Sequence, residues 1–133
     1  MFIYKSKVKL HHTDAVGLLF FSSVFTIIHD AYEAFLDSFG LNIGTILKEG
    51  KYMLPIIRTE AEYKKPQFVG DKMEIKLHCE KLGKTSYTIS YDIIDEVGES
   101  ACIAKTVNVV LDSATREITK IPKPLREALK TLV

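Results

Sequence analysis

At 133 residues the chain reads as one domain, residues 1–133, long enough to bury a core without metal or disulfide staples. With 47% hydrophobic and 26% charged residues it has an ordinary globular make-up, and a net charge of +1 provides no global field for nucleic acid or an anionic membrane. No apolar run reaches membrane-span length, Met1-Phe2-Ile3-Tyr4-Lys5 lacks a signal-peptide core, and Cys79 and Cys102 have no CxxC spacing. Buried free thiols in a reducing cytoplasm are therefore expected.

In chain order, Phe2, Tyr4, Val8 and Leu10 alternate with Lys5, Lys7 and Lys9, which predicts a half-buried strand from Phe2 to Leu10. From Ala15 to Phe21 no residue is polar, with Gly17 as the pivot. Ser22 or Ser23 is placed to cap a helix running to about Phe39, and Gly40 to end it. That helix is apolar nearly all round, with a narrow polar strip at Thr26, Asp30, Glu33 and Asp37, so it should be a buried one. A short helical stretch, Ile43 to Glu49, comes next.

Four strands are then predicted: Leu54 to Tyr63, Lys72 to Lys81, Ser86 to Asp95 and Ala101 to Asp112. Gly70-Asp71, Gly83-Lys84 and Glu96-Val97-Gly98 stand between them as turn signals, and short connections imply antiparallel neighbours. In the last strand the apolar register is read as Ala101, Ile103, Val107, Val109 and Leu111. Lys105 falls in that register and is expected to be partly buried, reaching a carboxylate or a phosphate. A final amphipathic helix runs from Pro124 to Leu132. The architecture is α+β: a curved antiparallel sheet of about five strands wrapped around one long buried helix.

The chemistry concentrates at Asp14. Turn chemistry alone accounts for an Asp at this point, but its apolar company suggests a partly desolvated carboxylate. The predicted helix start, with unpaired N–H groups and a partial positive charge, comes to the same place. A base or nucleophile beside an anion-stabilising donor suits attack on a carbonyl. The donor would be the Phe21 backbone N–H, with Gly17 letting the loop pass close to substrate. His11, His12 and Asp14 do not make a metal site, because adjacent strand residues point to opposite faces, and no metal is expected. There is no Gly-x-Ser-x-Gly elbow. His29 reads as a hydrogen-bonded core residue, and Glu33 is the reserve catalytic acid.

Thr13-Asp14-Ala15-Val16-Gly17-Leu18-Leu19-Phe20-Phe21, with this order of elements, resembles the hotdog-fold acyl-CoA thioesterases, and among them the 4-hydroxybenzoyl-CoA thioesterase branch. Tyr63 and Pro66 with Gly70-Asp71, and Thr85-Ser86-Tyr87, are similar to further stretches of that family. Leu54-Pro55-Ile56-Ile57 and His29-Asp30-Ala31-Tyr32-Glu33 look most like the subset that hydrolyses 1,4-dihydroxy-2-naphthoyl-CoA. Relatives acting on short acyl chains often carry His where this chain has Phe21, which favours an apolar or aromatic acyl group here.

The resemblance implies a hotdog fold and hydrolysis of an acyl-CoA thioester without a cofactor, coenzyme A being part of the substrate. It also implies a homodimer or homotetramer. Phe20, Phe25 and Tyr32 would bind the acyl group. Lys84, Thr85, Ser86 and Lys105 would meet the coenzyme A arm, with Lys64, Lys65 and Lys81 as further phosphate candidates. Two other readings stay open: a hydrolase of acyl groups on acyl carrier protein, and a non-catalytic acyl-CoA-binding module.

Overall fold

The computed structural model describes every residue from Met1 to Val133. The elements run β1 (Phe2–Lys7), α1 (Ser23–Ser38), α2 (Ile43–Glu49), β2 (Tyr52–Met53), β3 (Ile56–Tyr63), β4 (Lys72–Leu82), β5 (Ser86–Ile94), β6 (Ser100–Val109), β7 (Leu111–Asp112) and α3 (Lys123–Lys130). Five strands form one antiparallel sheet in the order β1-β4-β5-β6-β3, and β2 pairs with β7 in a separate two-stranded ribbon.

Period-2 patterning decides which face of the sheet is covered. Met73, Ile75, Leu77 and Cys79 on β4 and Tyr87, Ile89, Tyr91 and Ile93 on β5 are buried. They meet the buried face of α1, made by Val24, Ile27, Ile28, Ala31, Tyr32, Phe35 and Leu36 at helical spacing. Each such side chain contributes about 1.5–3 kcal/mol by leaving water. Leu125, Ala128, Leu129 and Leu132 from α3 and its C-terminal end join the same core. Sheet and helix thus take the expected α+β arrangement, with α1 packed on one face of the sheet.

Four local expectations are corrected. β1 ends at Lys7, not Leu10: the chain turns where the Val8 N–H donates to the Asp71 carbonyl, and Leu10–His12 form one 3-10 turn. The helix is less enclosed than its composition suggests. His29 joins Thr26, Asp30, Glu33 and Asp37 on an exposed strip, stacked against Tyr32 at 5.7 Å rather than hydrogen-bonded in the core. Neither serine caps the helix through its side chain.

The last correction concerns β6. Its inward residues are Cys102, Ala104, Thr106 and Asn108, while Ile103, Lys105 and Val107 lie on the outer face. Reading apolar against polar inverted the middle of this strand. Its core row is small or polar, and one member is bonded: the Asn108 Nδ2 donates to the Leu54 carbonyl at 3.0 Å. Lys105 thus lies on the outer face, half-exposed, and meets a carboxylate as expected. It is paired with Glu80 at 2.9 Å, and hydrogen bonding to that carboxylate raises its ammonium above the usual lysine value.

Inside the core, the Tyr32 and Tyr87 hydroxyls share one hydrogen bond of 2.6 Å. Burial pushes the Tyr32 phenol up to about 12 and Tyr87 well above its ordinary value, so both stay neutral. Removing one hydroxyl strands the other, whereas removing both strands neither. Tyr32→Phe and Tyr87→Phe should each cost about 1–3 kcal/mol, and the double variant distinctly less than their sum. Denaturant unfolding of the three variants measures this; strict additivity would show that the pair is not coupled.

Candidate active site

Between β1 and α1 the chain makes a tight loop that satisfies its own backbone. The Asp14 Oδ1 accepts the N–H groups of Val16 at 2.9 Å and Leu18 at 3.1 Å, and the Asp14 carbonyl accepts from Gly17. Gly17 sits at φ +79°, a conformation that costs most other residues strain. Glycine is thus needed for the turn itself, and its own carbonyl accepts the Val69 N–H at 2.9 Å. Asp14 is exposed in this chain rather than desolvated as its neighbours suggested. One carboxylate oxygen is anchored by two donors, and Oδ2 has no partner in the chain. That is an oriented carboxylate with a free edge.

The loop is held from both sides. The Phe20 N–H donates to the His12 carbonyl and the Leu19 N–H to the Gln67 carbonyl. His12 is itself buried, with Nδ1 accepting the Lys9 N–H at 3.0 Å, and burial lowers its pKa. Opposite stands the segment from Tyr63 to Asp71. Gly70 donates to Val8, and the Asp71 carboxylate accepts the Phe68 N–H at 2.9 Å, which locks this segment to the end of β1.

Asp14, Phe20, Phe21, Tyr63 and Gln67 line one cavity of about 390 Å³ together with Leu18 and Leu19. The Phe20 carbonyl accepts the Ser23 N–H at 3.0 Å, fixing the peptide plane that carries the Phe21 N–H, and that N–H has no acceptor. The Tyr63 hydroxyl donates to the Phe21 carbonyl at 2.7 Å and fixes the next plane. Burial raises the Tyr63 phenol, so it remains a donor. An uncapped helix end next to an oriented carboxylate offers a nucleophile or base and an anion-binding N–H in one space. Cys102 also lines the cavity, but burial pushes its thiol up to about 11, so it is no thiolate at neutral pH.

The other expected site residues are distributed differently. Glu33 lies on the exposed strip of α1, about 18 Å of helix rise beyond Phe21 and outside the cavity. Phe25 is half-buried and lines a second groove of about 360 Å³ with Ile28, His29, Asp30 and Thr59. Tyr32 is in the core and lines neither space. Lys64 and Lys65 stand at the first cavity, Lys65 paired with Asp95 at 2.6 Å and Glu99 at 3.0 Å. Lys81 is exposed beside the irregularity in β4.

Lys84, Thr85 and Ser86 are at the opposite end of the sheet. Ser86 pairs with Val109, whereas the cavity is walled by Ala101 and Cys102 at the other end of β6. Lys84 lines a small basic pocket with Lys120 and Arg126. One chain does not bring Asp14 and Lys84 together. Sequence reasoning missed the roles of Tyr63 and Gln67, because an aromatic at a strand end and a polar residue in a loop carry no periodic signal.

A curved antiparallel sheet wrapped on one long helix is the hotdog architecture. The model of the thioesterase-like superfamily matches residues 8–129, and the chain belongs to that family. A 1,4-dihydroxy-2-naphthoyl-CoA hydrolase from Rippkaea orientalis (strain PCC 8801 / RF-1) is 31% identical over 96% of this chain and 94% of its own length. One from Trichodesmium erythraeum (strain IMS101) is 32% identical over the same shares, 96% and 94%. The crystal structure of a 1,4-dihydroxy-2-naphthoyl-CoA thioesterase from Synechocystis superposes with a TM-score of 0.92 at 26% identity, covering 98% of this chain and 96% of that one.

The Tyr63 bond yields a direct test. Tyr63→Phe loses the donor to the Phe21 carbonyl and loosens the peptide next to the unbonded Phe21 N–H. A hydrogen bond of this kind contributes about 0.5–1.5 kcal/mol, so kcat should fall roughly 3- to 10-fold with KM little changed. Steady-state kinetics decide it, and an unchanged kcat would remove Tyr63 from the site.

Proposed function

We propose that the protein hydrolyses an aromatic acyl-CoA thioester, 1,4-dihydroxy-2-naphthoyl-CoA being the substrate its relatives point to. The observation that carries this reading is the meeting of the half-anchored Asp14 carboxylate and the unbonded Phe21 N–H in one cavity. A coenzyme A thiol, with a pKa of roughly 8.5, leaves readily as thiolate, so no general acid is needed. Asp14 supplies the attack, as nucleophile or as base for water, and the Phe21 N–H receives the developing oxyanion. One such donor contributes about 10²–10³ in rate. The acyl ring would rest on Phe20 and Phe21, which line that cavity and are exposed. Two buried free thiols, Cys79 and Cys102, fit work in the reducing cytoplasm.

A second copy completes the site. Strand β3 is an edge of the sheet, and Ile56, Ile57 and Tyr63 on it are exposed. An uncovered edge of this kind is a template for another strand, and an isologous two-fold pairing of β3 with itself extends the sheet. Antiparallel pairing sets Tyr63 of one chain near Ile56 of the other. Ile56 lies opposite Asn108, at the end of the sheet that carries Lys84, Thr85 and Ser86. The arm of coenzyme A bound at Asp14 would therefore meet Lys84 of the partner subunit, and a homodimer is the least assembly that works. Two such dimers would give the homotetramer.

Thiol release across a panel of acyl-CoA esters tests the chemistry. Aromatic esters should exceed acetyl-CoA in kcat/KM, since burying a ring adds about 1.5–3 kcal/mol of binding. Asp14→Asn, nearly isosteric yet neither nucleophilic nor basic, should lower kcat by several orders of magnitude. Wild-type turnover in that variant, or a preference for acetyl-CoA, would overturn the proposal. Sharing of the site is tested by mixing Asp14→Asn chains with Lys84→Ala chains. The mixture should regain part of the activity that each parent lacks, whereas a fully active monomer in light scattering would sink the pairing.

A further inference from the structure

Gln67 is 3% exposed, its side-chain Nε2 is shielded from solvent, and that nitrogen has no hydrogen-bond partner. A buried donor left without an acceptor costs about 1–3 kcal/mol, and native folds rarely tolerate one without a use. The residue is not held there by accident of a loose loop. Its backbone carbonyl accepts the Leu19 N–H at 2.8 Å, and Pro66 before it narrows the backbone. Gln67 is one of the residues that wall the cavity shared by Asp14 and Phe21, and its Nε2 lies shielded just behind that wall. Those neighbours supply one attacking group and one donor, but a tetrahedral adduct carries a full charge on its oxygen.

We propose that the Gln67 carboxamide is the second donor to that oxygen. The inference rests on the thioesterase reading and adds a catalytic residue to it. The terminal torsion of glutamine is broad and two-fold, so the amide can turn its Nε2 toward the cavity when substrate enters. Attack on the thioester carbon, by Asp14 or by water giving its proton to Asp14, moves the C=O π pair onto oxygen. There the Phe21 N–H and the Gln67 Nε2–H both donate to it. Collapse returns that pair to the C=O bond and expels coenzyme A as thiolate. On the water route the thiolate and the proton held by Asp14 recombine through solvent. Where Asp14 itself attacked, a water then cleaves the acyl–carboxylate anhydride to release the acid and restore the carboxylate. An empty site leaves the amide unpartnered, and the reaction satisfies it.

Gln67→Leu keeps the bulk and deletes the amide. A donor made useful only in the transition state predicts a kcat about 10²-fold lower, with KM within about threefold and a melting temperature equal to or above wild type. A merely structural amide predicts the opposite: a lowered melting temperature and an unchanged kcat. If Gln67→Leu fails to fold, Gln67→Met, which keeps the unbranched length but carries no N–H donor, takes its place and should lose kcat likewise. A folded variant of either kind with kcat within threefold of wild type overturns the proposal. Asp14→Asn run alongside separates the two failures. Lost turnover there with normal turnover at Gln67→Leu rejects only the second donor, while full turnover in Asp14→Asn rejects the site itself.

Discussion

The loop from Asp14 to Ser22 has to leave the sheet, cross its end and enter α1 without a regular partner for its backbone, and most of the site follows from how it does so. Asp14 satisfies Val16 and Leu18 through its own carboxylate, Gly17 takes the positive φ, and Leu19 and Phe20 donate to Gln67 and His12. The same carboxylate that closes the turn is thereby aimed, one oxygen spent on structure and one left over. Turn chemistry and catalytic chemistry are usually alternative explanations for an Asp in such a place. Here the two are compatible, because the anchoring N–H groups fix the plane in which the free oxygen points.

Helix α1 is asymmetric in the same sense. Its inward face is fully used by the core, yet its first turn is uncapped by Ser22 and its Phe21 N–H is unbonded. A capped helix would be more stable by about 1 kcal/mol and would have no donor to offer. Tyr63 restores order without consuming the N–H, since it binds the carbonyl on the far side of Phe21. Orientation is supplied by carbonyl acceptors, and the donor stays free. This arrangement places the cost of an open helix end where an incoming anion can offset it.

The distribution of charge has a comparable logic at the scale of the sheet. Lys65 is occupied by Asp95 and Glu99, and Lys105 by Glu80, so these cations are structural. Lys84, Lys120 and Arg126 gather at the other end, where Arg126 also holds the Gly83 carbonyl at 2.6 Å. The Asp14 carboxylate and this basic group therefore lie at opposite ends of one sheet.

Much of this was legible in the amino-acid sequence. Period-2 runs in β4 and β5, the helical spacing of α1 and the glycine and proline punctuation determine the α+β fold, because burial of alternating or stripe-like apolar faces allows few arrangements. Asp14, Gly17 and Phe21 could be picked out because local turn and helix-start chemistry is written in adjacent residues. The tertiary structure alone decided the rest. It set the facing of β6, whose core row of Cys102, Ala104, Thr106 and Asn108 is small or polar and so invisible to a hydrophobic pattern. It kept Lys105 and Tyr32 off the Asp14 cavity of the single chain and placed Tyr63 and Gln67 at it. These four sort by which space each side chain enters, a consequence of strand register and long-range hydrogen bonds between residues some fifty positions apart, and no local pattern encodes that.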